Sequence, residues 1–262
     1  IIRLVRSIYM KIFYLIFFFI LGTVIGSFLC VVGLRLPKNI DFVKGKSRCD
    51  ACGHELHFYE LIPIFSYIFL RGRCLKCHQK IDSIIPISEI LGGLLFSTAY
   101  YLFGFSYNLV IALLIAALFI IIVTTDVTYY IIPDEIIITF SILFLIVEFL
   151  SGGIKNVGMH LLTGILLFII MYLIMLLGEK LFKKESLGGG DVKLLFLFGL
   201  VLDPLLGIFT IFLGSLIALP ISIFILYKEK NNMIPFGPFL LLAFMLIYYS
   251  GITSEQIINL LI

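Results

Sequence analysis

The sequence predicts an all-α polytopic membrane protein with about eight transmembrane helices and one polar, cysteine-containing loop. The 262 residues are 61% apolar and only 13% charged, and the mean hydropathy is +1.18. This apolar content exceeds what the core of a soluble chain of this length needs. The apolar runs are of roughly the 20 residues with which a helix crosses a bilayer. Short alternating segments, which would indicate a transmembrane barrel, are not seen.

The first of the eight predicted segments is a long apolar run that we interpret as an uncleaved span. This run lacks the small-residue cleavage site and polar continuation that are typical of a secretory signal. The sixth segment is short for a full crossing, and it either tilts or pairs with the seventh across Asp203-Pro204. The predicted segments are 12–33, 84–103, 107–125, 135–151, 157–179, 192–202, 205–227 and 234–250.

The basic residues predict the orientation of the chain. Residues 34–82 contain nine of the 19 Lys and Arg, so the positive-inside rule places this loop in the cytoplasm. With eight spans, the loops at 180–193 and 228–233 are then cytoplasmic as well, and both termini lie outside. The basic residues are not interleaved with a stacking surface, so we expect no nucleic-acid binding.

Two C-x-x-C pairs in the polar loop indicate a zinc site. Cys49 and Cys52 precede Cys74 and Cys77 by 21 intervening residues, a separation at which four thiolates can bind one tetrahedral Zn²⁺. The alternatives are two disulfides or four unliganded thiols, and a reducing cytoplasm disfavours the disulfides. Four cysteines would close the coordination sphere, so we expect structural zinc. Cys30, within the first segment, is interpreted as an apolar packing residue.

Two aspartates are the candidate catalytic pair. Asp126 ends the third predicted segment, and Asp191 begins the sixth. The intervening chain leaves through the fourth segment and returns through the fifth, so both carboxylates are predicted at one membrane face. Two adjoining, desolvated carboxylates tend to share a proton and can activate water against a peptide carbonyl.

The residues around Asp191 suggest a loop that receives substrate. Gly188, Gly189 and Gly190 lack a Cβ and permit positive φ, so they would let the backbone approach a neighbour or an extended substrate. Lys193 is assigned to the same supporting loop. The simpler alternative is that Asp191 caps a helix and that Asp126 ends a helix or pairs with a lysine.

Other polar residues in the apolar segments are weaker candidates. Glu89 is predicted near the same face and is the third candidate, positioning substrate or supporting the pair; the alternative is an interhelical hydrogen bond. Asp134 is expected to cap the fourth helix, and His160 is expected to pack near the outer face.

Six sequence blocks occur along the chain in the order GSFLCVVGLRLP, SRCDACGHELHFYELIPIFSYIFLRGRCLKC, PISEILGGLLF, TTDVTYYIIPD, LGGGDVKLLFLFG and IPFGPFL. With these blocks in this order, the chain resembles the type IV prepilin peptidases, a family of GxGD intramembrane aspartic proteases. They cover most of the chain, whereas a single GxGD would be a weak indication.

The resemblance implies a bacterial cytoplasmic-membrane enzyme that removes a short basic leader from prepilin-like precursors at the cytoplasmic face. Asp126 and Asp191 would be its catalytic pair. In bifunctional members the cysteine loop serves methylation of the new N-terminus with S-adenosylmethionine, and their four cysteines match those of this chain. Two departures are Cys30, where the family often has Asn, and Asp50, where Pro is common.

The corresponding division of the chain is a first helix over 1–33, a four-cysteine loop over 34–82 and a peptidase core over 83–262. Besides the bilayer, the expected partners are prepilin-like precursors. One alternative is a zinc-loop transporter in which the paired aspartates couple an ion, although no paired halves are visible. The others are a protease with another substrate and a scaffold in a pilus assembly.

Overall fold

The computed structural model describes residues 2–42, 47–183, 188–228 and 234–261. Within these ranges the regular structure is helical, apart from two isolated β-bridges between single residues. Four lysines used in the orientation argument, Lys44, Lys46, Lys184 and Lys230, lie outside the described residues. The chain divides into two compact units, Ile1–Leu109 and Val110–Ile262.

The helices follow the predicted apolar segments closely. Their bounds are α1 Ile2–Arg35, α2 Phe65–Phe69, α3 Ile84–Phe103, α4 Tyr107–Tyr129, α5 Asp134–Phe182, α6 Gly189–Gly199, α7 Pro204–Lys228, α8 Gly237–Ser250 and α9 Ser254–Leu261. Every predicted segment overlaps one of these helices, and the fourth and fifth segments both fall in α5.

Five of these helices are long and apolar enough to cross a membrane, namely α1, α3, α4, α5 and α7. Many of their apolar side chains are exposed, for example Phe212, Leu219 and Phe224 of α7. Exposed apolar helix surface of this extent is unfavourable in water and suits contact with lipid tails. The chain is therefore an all-helical, multi-pass membrane protein.

In the first unit, glycines bring α1 and α3 into backbone contact. A Cβ on Gly22 would overlap the carbonyl oxygen of Gly92, and a Cβ on Gly26 would lie 2.6 Å from the carbonyl oxygen of Ser88. Small residues four apart on facing helices permit this close approach in membranes. The contact fixes the helix from which Glu89 projects.

In the second unit, α5 is a helical hairpin that is folded at one glycine. Gly153 has φ 70° and ψ −163°, outside the helical region. On the two sides of it, Nε2 of His160 lies 3.5 Å from Oε2 of Glu148. In a straight helix these residues would be separated by about 18 Å along the axis, so the chain reverses direction at Gly153.

Helix α6 lies in the core of the second unit. Leu194, Leu195, Leu197 and Phe198 are fully buried, and the ring of Phe198 stacks on Phe244 of α8 at 4.3 Å between centroids. Gly199 packs against the backbone of Gly164 in α5, where a Cβ would lie only 2.6 Å away. Helix α6 has 11 residues, hence a length of about 16 Å, which is half the hydrocarbon thickness.

Candidate active site

Asp126 and Asp191 lie together at one end of the second unit. Asp126 occupies the last turn of α4, Asp191 the first turn of α6, and both are buried, at 6% and 7% exposure. The start of α8 meets them there. At its other end, α8 contacts the beginning of α4, where the hydroxyl of Tyr249 donates to the carbonyl of Ala112 at 3.1 Å. The out-and-back path that the sequence predicts between the aspartates is consistent with this arrangement.

Gly237, the first residue of α8, lies beside both carboxylates. Its N–H donates to Oδ2 of Asp126 at 3.1 Å. A Cβ on Gly237 would lie 2.9 Å from that oxygen and 3.5 Å from Oδ1 of Asp191. Both distances start from the same point, so Oδ2 of Asp126 and Oδ1 of Asp191 cannot be farther from each other than these two distances added together. Sequence reasoning assigned no role to Gly237, and the only signal was its place in the IPFGPFL block, directly before a proline at a helix start.

Asp191 is the third residue of α6 rather than its cap. The N-cap is Gly188, with extended φ −68° and ψ 134°, so the alternative that Asp191 caps the helix is wrong. Helix α6 is not among the five candidate membrane-spanning helices. Burial, together with the neighbouring charge of Asp126, raises the pKa of the Asp191 carboxyl to about 7, while the backbone N–H of Gly188 opposes this rise.

Within the glycine triplet, Gly190 serves close packing rather than left-handed backbone. None of Gly188, Gly189 and Gly190 has a positive φ, so the structure does not use the backbone conformation that glycine permits. A Cβ on Gly190 would lie 2.8 Å from the Cβ of Ile132, in the segment that follows α4, whereas a Cβ on Gly189 would meet nothing within 4 Å. Gly190 therefore allows the segments that carry the two aspartates to approach each other.

Lys193 points away from the aspartate pair. Its Nζ lies 2.5 Å from Oδ1 of Asp134, and both side chains are substantially exposed. Pro133, not Asp134, is the N-cap of α5, so the predicted cap is wrong. Lys193 also borders a cavity of about 290 Å³, whose other lining residues are Ile137, Ile165, Phe168 and Phe196. Since Lys193 follows Asp191 by two helical positions, this cavity lies on another side of α6.

Glu89 connects three segments of the first unit. Its Oε1 accepts a hydrogen bond from the hydroxyl of Ser27 in α1 at 2.8 Å, and its Oε2 accepts one from the backbone N–H of Ile64 at 2.7 Å. Ile64 has φ 65°, a left-handed conformation that is unfavourable for a β-branched residue. The buried carboxylate thus stabilises a strained part of the cysteine loop against α1 and α3.

The four cysteines of the loop form one cluster. Their sulfur atoms all lie within 4.8 Å of one another, with 3.7 Å between Cys49 and Cys77 and 4.0 Å between Cys52 and Cys74. Sulfurs bound to one tetrahedral zinc are about 3.8 Å apart, from a Zn–S distance of about 2.3 Å. No disulfide joins these four residues, all of which the structure describes. The cluster therefore fits a metal ion bound by four thiolates.

The two C-x-x-C turns have the same hydrogen-bond pattern. In the first, the N–H of Cys49 donates to the carbonyl of His54, and the N–H of Gly53 donates to Cys49. In the second, Cys74 donates to Gln79, and His78 donates to Cys74. Backbone N–H groups of Cys77 and Lys76 lower the pKa of the Cys74 thiol to about 6, which favours the thiolate form that binds metal.

Comparison with known proteins identifies the class. The pattern of the bacterial peptidase A24 N-terminal domain matches residues 20–103, and that of the type IV leader peptidase family matches residues 112–223. The first match covers the cysteine loop, and the second covers both aspartates. The chain belongs to the type IV leader peptidase family.

Several relatives carry the name prepilin leader peptidase/N-methyltransferase. One from Myxococcus xanthus is 36% identical over 74% of this chain, and the chain spans only 58% of its length. One from Bacillus subtilis is 30% identical, over 89% of this chain and 93% of the relative. One from Vibrio cholerae is 28% identical, over 92% and 98%. No solved structure matches the chain.

Proposed function

We propose that this protein is an intramembrane aspartic endopeptidase that removes the basic leader from type IV prepilin-like precursors. The observation that carries the proposal is the buried pair Asp126 and Asp191, both of which lie close to Gly237. The family membership and the names of the relatives favour this function over a transporter that uses the same aspartates for ion coupling.

The contacts of the two carboxylates suggest different roles for them. The N–H of Gly237 stabilises negative charge on Asp126, whereas Asp191, with its pKa near 7, holds the shared proton. Water would give a proton to Asp126 while its oxygen attacks the scissile carbonyl carbon. Asp191 would donate a hydrogen bond to the carbonyl oxygen, and the leaving amine would then take up the proton as the C–N bond breaks.

The position of the pair suits a precursor with an apolar helix behind a basic leader. Such a helix would lie in the bilayer with its leader at the cytoplasmic face. A helical peptide bond must be unwound before water can attack it. The N-terminal ends of α6 and α8 meet beside the two aspartates.

We further propose eight membrane segments, with the aspartate pair at the cytoplasmic side. The distribution of Lys and Arg supports the orientation, and α5 supports two of the segments. The apolar stretch of α5 has 48 residues, about 72 Å of helix, which is more than twice the hydrocarbon thickness, and it reverses at Gly153. Helices α6 and α8 are shorter than a typical span and lie against the long helices.

For the cysteine loop we propose structural Zn²⁺ bound by Cys49, Cys52, Cys74 and Cys77. The part of the loop over 47–83 that the structure describes contains no glycine-rich turn leading into a helix, a common nucleotide-binding arrangement. N-methylation with S-adenosylmethionine therefore rests on the names of the relatives, and we assign no residue to that cofactor. The corresponding division is 1–33, 34–82 and 83–262.

Cleavage of a prepilin-like precursor in membranes tests the peptidase. We expect Asp126→Asn and Asp191→Asn each to reduce leader removal by on the order of 10³-fold or more, as loss of an acid–base group does. The matched control is Asp203→Asn, an exposed aspartate that accepts a hydrogen bond from Ser254 at 3.1 Å and should retain the activity. Undiminished cleavage by either dyad variant, at equal amounts of folded protein, contradicts the assignment.

Mass spectrometry of the cleaved product with and without S-adenosylmethionine tests the second activity. Methylation predicts a gain of one methyl group at the new N-terminus, and an unchanged mass contradicts it. Metal analysis of the purified chain should find zinc, and Cys74→Ser should lower the zinc content by about one ion per chain, the ion bound by the four thiolates. Because the cysteines and the aspartates belong to different compact units, each result is interpretable without the others.

A further inference from the structure

A second cluster of metal-ligating side chains lies beside the first C-x-x-C turn. His54, His57 and Glu60 place one imidazole or carboxylate atom each within 4.8 Å of the others. These residue types are the ligands of borderline divalent cations such as Zn²⁺ and Co²⁺. None of the three belongs to the cysteine cluster or to the aspartate pair.

The hydrogen bonds of Glu60 leave one of its oxygens unpartnered. Oε2 accepts the backbone N–H of His57 at 2.9 Å and lies 3.2 Å from Nε2 of His54. The side chain is only 1% exposed, and Oε1 has no hydrogen-bond partner among the residues that the structure describes. A buried carboxylate oxygen without a partner is unfavourable unless a proton, a donor or a cation satisfies it.

The local fold holds two of the three groups in place. A 3₁₀ turn over Phe58–Glu60 begins at His57, and the bond from the His57 N–H to Glu60 closes it. His54 is fixed by the first C-x-x-C turn, since its carbonyl accepts the N–H of Cys49. The ring of His57 is exposed and stacks on Tyr59 at 5.5 Å between centroids, so it can turn toward the other two ligands at little cost.

We propose that His54, His57 and Glu60 form a second divalent-cation site, distinct from the four-cysteine cluster. Two imidazoles and one carboxylate leave at least one coordination position open for water or an exogenous ligand. The four-cysteine cluster, in contrast, has a closed coordination sphere. Binding of the cation would satisfy the buried oxygen of Glu60 that lacks a partner.

Titration of the purified, metal-free, untagged full-length chain with Co²⁺ tests the proposal. Cobalt bound by thiolates produces sulfur-to-metal charge-transfer absorption, whereas cobalt bound by imidazole and carboxylate gives only weak visible bands. We expect two equivalents per chain, of which one contributes charge-transfer absorption and the other does not.

His57→Ala and Glu60→Gln should each remove the equivalent without charge transfer and retain the other. The amide oxygen introduced by Glu60→Gln can still accept the backbone N–H of His57, so the turn is preserved. The matched control is His78→Gly. This substitution removes an exposed imidazole. His78 has φ 57° and occupies the position in the second turn that Gly53 occupies in the first, so glycine fits there. The variant should still bind two Co²⁺ ions per chain.

Two results overturn the proposal. The first is that the wild-type chain binds no Co²⁺ outside the thiolate site. The second is that the non-thiolate equivalent persists in His57→Ala. If Glu60→Gln also loses the thiolate absorption, His57→Ala alone decides, because the exposed ring of His57 can be removed without unfolding the loop.

Discussion

Gly237 donates its backbone N–H to Asp126, a residue 111 positions earlier in the chain, and leaves no space for a side chain beside that carboxylate. The glycine therefore acts on Asp126 in two ways. It supplies a hydrogen bond that favours the ionised form of Asp126, and its missing Cβ makes room for the same carboxylate.

Gly237→Ala is expected to lower leader cleavage by on the order of 10²-fold, since a displacement of about 1 Å at a catalytic group has that effect. The added methyl carbon would lie 2.9 Å from Oδ2 of Asp126, so one of the two must move. Initial cleavage rates in detergent micelles, at equal folded protein, measure the effect.

Gly158→Ala is the matched control for that experiment. Gly158 lies in α5, outside the segments that carry the two aspartates, and a Cβ there meets nothing within 4 Å. The rate of this variant should stay close to the wild-type rate. Equal rates for Gly237→Ala and Gly158→Ala would show that the contact between Gly237 and Asp126 does not govern catalysis.

Leader cleavage should decrease as the pH rises through about 7. Burial and the charge of Asp126 raise the pKa of Asp191 to about 7, so its protonated form prevails below that pH and is lost above it. The mechanism needs this proton, and the rate should therefore fall about tenfold per pH unit on the alkaline side. A profile of kcat/KM against pH measures this dependence.

Reversibility distinguishes protonation from unfolding in the pH experiment. Protein held at alkaline pH and returned to neutral pH should recover its full rate. A rate that is constant from neutral pH to about pH 9 would contradict the assignment of the shared proton to Asp191.

Gly92→Ala should destabilise the first unit by about 2 kcal/mol, the usual effect of overpacking a close contact. Its Cβ would overlap the carbonyl oxygen of Gly22 in α1. Gly158→Ala in α5 is the control, because a Cβ there meets nothing within 4 Å and alanine has the higher helix propensity. Thermal unfolding in detergent should show a lower midpoint for Gly92→Ala alone.

Glu89→Ala should loosen the cysteine loop, whereas Glu89→Gln should leave it intact. Alanine leaves the hydroxyl of Ser27 and the N–H of Ile64 without their acceptor, which costs about 1–3 kcal/mol for each buried group. Glutamine can accept from Ile64 and donate to Ser27. Limited proteolysis within 47–83 should accelerate only in Glu89→Ala.

Leader cleavage by Glu89→Gln separates the structural role from a chemical one. Full activity agrees with a carboxylate that only accepts hydrogen bonds. Loss of activity in a variant that resists proteolysis as well as wild type would mean that the charge itself serves substrate binding.

The sequence predicted the meeting of Asp126 and Asp191 because that prediction depends only on counting apolar segments. Each segment reverses the side of the membrane, so two residues separated by two crossings must return to one face. The cysteine cluster could be predicted equally well, because a C-x-x-C spacing constrains the local geometry whatever the tertiary fold.

The role of Gly237 could not be predicted, because it depends on how α8 packs against α4 and no local pattern encodes that contact. The role of Gly190 was left open for a related reason. The sequence shows that a position is glycine. It does not show whether the glycine is needed for an unusual backbone conformation or for close packing against a neighbour. For Gly190 the reason is the neighbouring side chain of Ile132, which follows a different helix.

The burial of α6 has a consequence for the sequence variation that the family can accept. Because α6 contacts α5, α7 and α8, replacements should be poorly tolerated at its buried positions, which lie on most sides of the helix, with the partly exposed Lys193 as an exception. Helix α7, which leaves Phe212, Leu219 and Phe224 exposed, should accept almost any apolar residue along that face. A saturation-mutagenesis map would then show one short, largely intolerant stretch beginning at Asp191, followed by a long stretch in which intolerance recurs with helical periodicity.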